Sequence, residues 1–280
     1  MKTLSTVLLV ILLGALGGQL STVSAALAPL GGDIYMSLVD GQVLVRTEDT
    51  QDWVPAAVNW PLGQADRLWV AEGSRSELRL RGGTVVRLNG RTALEVGAVD
   101  DREIQIFVDK GQIYVHVEQG NDTLLVETPA AAFMPDRNTT FRIDIIENDE
   151  VSASVLSGVV RVEGPEGDLK LNAGQRLTFT RGSDRARLEA ARPADEWEAW
   201  NRGRDRDQFG PGLGDSRQYL PRELMPYARD LDSNGRWVQI PDYGFVWTPT
   251  VVIMRIWAPY RMGRWVWVRG HYVWIPQEPW

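Results

Sequence analysis

Few residues in this 280-residue chain stand at spacings that could do chemistry. His116 alternates with Tyr114 and Glu118, so a strand would set all three on one face, where a His/Glu pair could hold a metal or move a proton. No cluster of partners is visible, and the plainer reading, a solvated sheet face, is preferred. The acidic run Asp144 to Glu150 could present carboxylates, yet Glu147-Asn148-Asp149-Glu150 reads more naturally as a hairpin loop. Asp230 to Gly235 matches the first half of a calcium loop, but its twelfth position is Pro241 where Glu belongs, which favours a turn before a strand. The glycines from Gly210 to Ser216 echo a nucleotide loop. No strand leads into them and Pro211 interrupts them, so they read as a flexible linker. Five aromatic residues, Trp237, Trp247, Tyr260, Trp265 and Trp274, form a candidate ligand platform for glycan or peptide. The competing reading makes them the core of a small domain, and it is favoured because apolar side chains are usually inside.

Composition narrows the classes further. The chain has no cysteine, which excludes disulfides, thiolate metal sites and cysteine nucleophiles. Its histidines are His116 and His271, so a metal site within one chain has at most two imidazole ligands. A net charge of -7 with a pI near 5.0 is unlike the basic footprint of nucleic-acid binders. No catalytic residue, cofactor or metal is therefore expected, and no nucleic-acid partner. At the N-terminus, Lys2, an apolar run from Val7 to Leu13 and small residues at Val23-Ser24-Ala25 have the layout of a signal peptide over residues 1–25. The alternative is an uncleaved anchor, which the short, glycine-interrupted apolar run disfavours. The expected location is periplasmic or secreted.

The elements that would carry these residues are mostly strands. In Glu77 to Arg81, Leu78 and Leu80 alternate with Glu77, Arg79 and Arg81, the period-2 pattern of a half-buried strand with one face in water. Ile104, Ile106 and Val108 repeat it, as do Ile113, Val115 and Val117. Turn signals at Gly82-Gly83, Asn89-Gly90, Lys110-Gly111 and Ser157-Gly158 give the rhythm of a sandwich, barrel or β-roll over residues 31–187. Ala130 to Phe141, with Pro129 and Pro135, reads as a long loop. The string VPAAVNWPLGQADRLWVAEGSRSELRL, followed by VRLNGRTALEV, IQIFVDKGQIYVHV and LNAGQRL, resembles the FecR domain family from about Asp33 to Thr180. That resemblance implies a periplasmic β domain. Well-known members pass a signal to a sigma factor, but only a few residues precede the apolar segment here, so direct sigma-factor contact is not expected.

Residues 190–215 change period. Trp197 and Trp200 share a helical face, acids lie early and arginines late, and Pro193 suits a first turn, so a short helical connector docking through its tryptophans is predicted. In residues 216–280, Gly235 to Pro249 aligns with Gly263 to Pro276 at a 28-residue period, each copy reading as a hairpin. Lone hairpins are marginal in water, so the copies are expected to bury each other's aromatics. This part resembles a Trp-rich tail that follows FecR-type domains. Such tails run further, which implies a short or truncated chain here, with a third copy starting at Gln277 to Trp280. The fold class is mainly all-β: a FecR-like sandwich or β-roll, a helical connector and a small Trp-rich hairpin region. The function read from this is a non-enzymatic envelope module binding a protein or polymer. The alternative is a carbohydrate-binding or carbohydrate-processing protein using the aromatic platform. A membrane partner enters only if the N-terminal segment stays uncleaved.

Overall fold

The computed structural model describes residues 33–48, 51–118, 123–146, 150–180, 185–210, 214–221, 224, 227–250 and 260–277. The expected signal peptide, residues 147–149 of the expected hairpin loop, most of the glycine run after Gly210 and the end of the expected third copy lie outside them. Among the described residues, no helix is long and apolar enough to cross a membrane.

The first strands are β1 (Ile34–Asp40), β2 (Val43–Arg46), β3 (Val54–Pro55), β4 (Pro61–Leu62), β5 (Arg67–Val70), β6 (Arg75–Leu80), β7 (Val85–Leu88), β8 (Thr92–Val99) and β9 (Glu103–Val117). They continue as β10 (Thr123–Glu127), β11 (Ala132–Pro135), β12 (Thr139–Ile146), β13 (Glu150–Ser157), β14 (Val159–Gly164), β15 (Gly167–Asn172), β16 (Gln175–Phe179) and β17 (Arg187–Ala190). Helices α1 (Glu196–Phe209), α2 (Ser216–Tyr219) and α3 (Ala228–Asn234) lead to β18 (Gly235–Ile240), β19 (Gly244–Pro249), β20 (Gly263–Val268) and β21 (His271–Pro276).

Strand β9 organises the domain. Its N-terminal half pairs with β8 and, in parallel, with β10; its C-terminal half pairs with β7 and β12. One sheet therefore runs β4-β1-β6-β7-β9-β12-β13-β16-β17, and the other β3-β2-β5-β8-β9-β10-β11-β14-β15. The alternating aliphatics predicted from the sequence fill one continuous core between them, with Leu78, Leu88, Ile106, Val108, Ile113, Phe133 and Phe141 fully buried. The change of sheet falls at Gly111, whose φ is 97° and where a Cβ would lie 2.5 Å from the Thr92 Cα.

Three sequence expectations change. Ala130 to Phe141 is not a long loop, because β11 pairs with β10 and β14 within it, and Pro135 sits at the strand's last position. Pro193 lies outside the helix it was expected to start; Asp195 is the cap, its carboxylate accepting the Glu198 N–H at 2.8 Å. Asp230 to Asn234 is neither calcium loop nor turn but part of α3, where Asp230 and Asp232, two residues apart, face different sides and meet Arg79 and the Ser216 N–H respectively.

Gly111→Ala should destabilise the domain by at least about 2 kcal/mol, through the left-handed backbone and the collision with Thr92. Urea unfolding of the variant against the parent chain measures it.

Candidate functional site

The outward face of the first sheet carries a polar row at one register: Glu77 on β6, Arg87 on β7, Tyr114 on β9 and Arg142 on β12. Adjacent strands thus alternate acid, base, phenol and base, which favours cross-strand pairing. The sequence pattern put this face in water. The structure corrects that, because α1 lies across it: Glu77 is 1% exposed and Arg87 not at all. His116 is covered as well, its ring stacked on Phe209 of α1 at 4.1 Å. The helix docks at its start through Trp197, which is buried and stacked on Trp200 at 5.2 Å, with the Arg75 guanidinium over both rings.

The charges are paired across this interface. Arg87 Nε donates to Glu77 Oε2 at 2.8 Å, and its Nη1 donates to Asp205 Oδ1 of α1 at 2.6 Å. Arg204 and Gln208 of α1 donate to the Glu77 carboxylate, each at 3.1 Å, and Ser37 donates to it at 2.7 Å. The Tyr114 hydroxyl donates to Asp205 Oδ2 at 2.7 Å. Arg142 bridges Asp144 and the helix cap Asp195, each at 2.7 Å.

Burial alone would raise the Glu77 pKa, but Arg87 and Arg204, with hydrogen bonds from Arg87 and Ser37, outweigh it and pull the carboxyl from 4.5 to about 2. For Asp205 burial is again outweighed, by the contacts with His116, Arg87 and Tyr114, so its pKa is lowered. Burial, then the Asp205 charge, raises that of Tyr114. A carboxylate titrating near 2 and a phenol pushed up are both far from the pH at which proton transfer needs them. Chemically, the row is a clamp for a helix.

This clamp was the feature sequence reasoning missed. Its signal was the polar stripe Asn201, Arg204, Asp205 and Gln208 at helical spacing after the two tryptophans, opposite strands with charges at their outward positions.

The predicted platform residues do not meet at one place. Trp237 and Trp247 oppose each other on β18 and β19 and are half-buried against the preceding helices. Their indole N–H groups donate to Ser216 Oγ at 2.8 Å and to the Leu231 carbonyl at 3.0 Å. Trp265 and Trp274 oppose each other on β20 and β21, with Tyr260 5.4 Å and 5.6 Å from their ring centres; Tyr260 and Trp265 are exposed and Trp274 half-buried. The register is the same in both hairpins, but they form separate sheets and bury opposite faces. The second turns Val266, Val268 and Val273 onto the domain core and its tryptophans outward. This corrects the expectation that the copies bury each other's aromatics. The second hairpin is held at its turn: Arg269, at φ 51°, places its guanidinium on both oxygens of the buried Asp66, at 3.0 and 3.2 Å.

A groove of about 620 Å³ lies elsewhere, on the outward face of the second sheet. Trp53, Trp69 and Phe107 line it, with Glu95 and Asp109 among its polar residues. Lys110 covers the Trp69 ring at 4.7 Å, and Arg67 pairs with Glu95 at 2.8 Å. The sequence signal for this groove is Trp69 at an outward position of an alternating strand. Among the described residues, no group of three or more His, Asp or Glu could hold a metal ion.

The sandwich with its shared corner strand, beginning its matched region at the hairpin anchor Asp66, agrees with a family model: residues 66–161 match that of the FecR protein. These residues are a FecR domain. Residues 228–280 match a family of unknown function, DUF6600, so the Asp66–Arg269 pair joins the two matched regions. No curated protein matches the chain. Two crystal structures of a candidate anti-sigma factor from Parabacteroides distasonis are similar at 21% identity, over 49% of this chain, with TM-scores of 0.42 and 0.41. The chain spans just under two thirds of their length, 64% and 65%.

Two outcomes test the site. Arg87→Met strands the Glu77 charge and should cost about 3–5 kcal/mol in urea unfolding, most of it recovered in the Glu77→Gln/Arg87→Met double variant. Because the folded-state pKa of Glu77 is depressed, its contribution is present above pH 4.5 and lost as pH falls towards 2; a pH series of melts should show roughly 3 kcal/mol lost there, at ~1.4 kcal/mol per pH unit, and little of that loss in Glu77→Gln. Separately, Asp66→Asn should loosen the second hairpin by about 1–3 kcal/mol, seen as faster proteolytic release of the tail while the FecR domain stays folded.

Proposed function

We propose that the protein is an exported, non-enzymatic interaction module of the cell envelope. The FecR domain serves as the platform, and the second hairpin presents the binding face to a protein or polymer partner. The observation that carries this reading is the outward aromatic face of β20 and β21. Tyr260, Trp265, Trp267 and Tyr272 are 53–67% exposed, while the opposite face is packed on the core and pinned through Asp66. A contiguous exposed aromatic patch held rigid from behind is the composition and geometry of an interaction surface. Export is supported by the signal-like N-terminus, and a regulatory or signal-transducing role by the FecR domain. The absence of enzymatic chemistry is supported by the internal pairing of the buried acids and bases.

A second reading, carbohydrate binding, is favoured by one observation: the groove on the second sheet sets two carboxylates beside Trp53 and Trp69.

One experiment separates the two. Mature protein is immobilised, exposed to envelope extract, and its bound material identified by mass spectrometry. Loss of the bound species with Trp265→Ala/Trp267→Ala, but not with Trp53→Ala, is the expected result. Recovery of glycan that depends on Trp53 instead would transfer the function to the groove. Recovery of neither protein nor glycan overturns both.

A further inference from the structure

The two hairpins are equivalent position by position. Trp237, Gln239, Phe245 and Trp247 of the first correspond to Trp265, Trp267, Tyr272 and Trp274 of the second, by their pairing registers. The shared Gly that opens each copy has a common cause, since a Cβ at Gly235 or Gly263 would run into the indole of Trp247 or Trp274. The first hairpin also shows what this face accommodates. One helical turn, α2, lies on it. The buried Ser216 hydroxyl accepts the Trp237 indole N–H at 2.8 Å, and Tyr219, three residues on, stacks on Phe245 at 4.3 Å and leans on Trp237 at 5.0 Å. Asp232, three residues before Gly235, fixes that turn by accepting the Ser216 N–H at 3.0 Å.

In the second hairpin the residue corresponding to Asp232 is Tyr260, which covers the inner pair Trp265 and Trp274. The outer pair, Trp267 and Tyr272, meets edge to face at 4.9 Å and stays 61% and 67% exposed. Trp267 stands where the first hairpin has Gln239, so the uncovered face is the more aromatic of the two. Among the described residues, none hydrogen-bonds the indole N–H of Trp265 or Trp267.

We propose that Trp265, Trp267 and Tyr272 dock a segment of a partner protein that carries an aromatic side chain one helical turn from a hydroxyl or carbonyl acceptor, as α2 does for the first hairpin. This rests on the interaction-module reading above and names its partner chemistry. Residues three apart on a helix share a face, so one turn suffices to deliver both ring and acceptor. Aromatic pairs gain from stacked or edge contacts beyond the area they bury, and an indole N–H gains by finding an acceptor. A second copy of this chain does not offer such a segment, because its own Ser216 is buried against Trp237. The occupant proposed is a segment of a different chain, and α2 of a second copy is excluded by that burial.

The probe is a helix-constrained synthetic peptide with the sequence of residues 214–221, titrated into the mature chain while the tryptophan indole N–H signals are followed by NMR. Saturable shifts of the Trp265 and Trp267 signals are expected. Affinity should fall at least ~10-fold with Trp267→Ala or Tyr272→Ala in the protein, and with Tyr219→Ala in the peptide. Phe245→Ala should leave it unchanged, which excludes displacement of the chain's own α2. These positions are exposed, so circular dichroism should show the variants folded. No shift with the peptide overturns the proposal, as does a response of the same signals only to peptidoglycan fragments or anionic vesicles. In either case the capture experiment stands independently, because its partner comes from the envelope and not from this peptide.

Discussion

Burying Glu77 and Arg87 on the outside of a β-sheet is the constraint on which the arrangement of the rest depends. An ion pair taken out of water loses hydration that its mutual attraction only partly returns. It is tolerated here because every neighbouring strand and the helix above contribute a partner: Ser37 from β1, Arg204, Asp205 and Gln208 from α1, and Tyr114 from β9 through Asp205. The geometry works in both directions. The sheet orders the helix, and the helix makes the row of charges affordable. With α1 laid across one sheet, the chain is delivered to α2, α3 and the hairpins beside the domain instead of away from it.

The tail then divides its labour. Two hairpins of the same register solve the same problem, a small sheet with one aromatic and one more aliphatic face, in opposite ways. The first has helices available and turns its tryptophans towards them, satisfying both indole N–H groups. The second has the sandwich core available and gives it the valines instead. Asp66 decides the second outcome. It is buried at the start of β5's approach, accepts the Gly63 N–H at 2.9 Å, and receives Arg269 from a turn whose left-handed residue aims the guanidinium inward. A tail that could have been tethered loosely is pinned to the domain with its aromatic face outward.

Much of this was legible before any coordinates. The strands around Leu78, Ile106 and Ile113, the helix carrying Trp197, and both C-terminal hairpins follow from hydrophobic periods and glycine positions. The Ala130 to Phe141 region was misread because its two prolines suggested a loop; a strand can begin and end next to proline where ladder hydrogen bonds are not needed. Asp230 to Asn234 was misread because acidic and Gly-flanked sequence suits a turn as well as a helix end. The charged row escapes sequence reading for a different reason: Glu77, Arg87 and Tyr114 lie on three strands, and only their pairing registers bring them side by side.

Sequence by itself determined that most of the chain is strand, that the two faces of each strand differ, and that the tail contains two copies of one hairpin. These are local properties, set by backbone preferences and by a period of two. Only the tertiary structure decided which faces meet water. Alternation states that Glu77 and Leu78 point opposite ways, but not that a helix beginning at Glu196 will cover the polar side. Likewise the repeated Gly-Arg-Trp specifies a hairpin with Trp on one face, while the burial of that face at Trp237 and its exposure at Trp265 depend on which neighbour each copy finds.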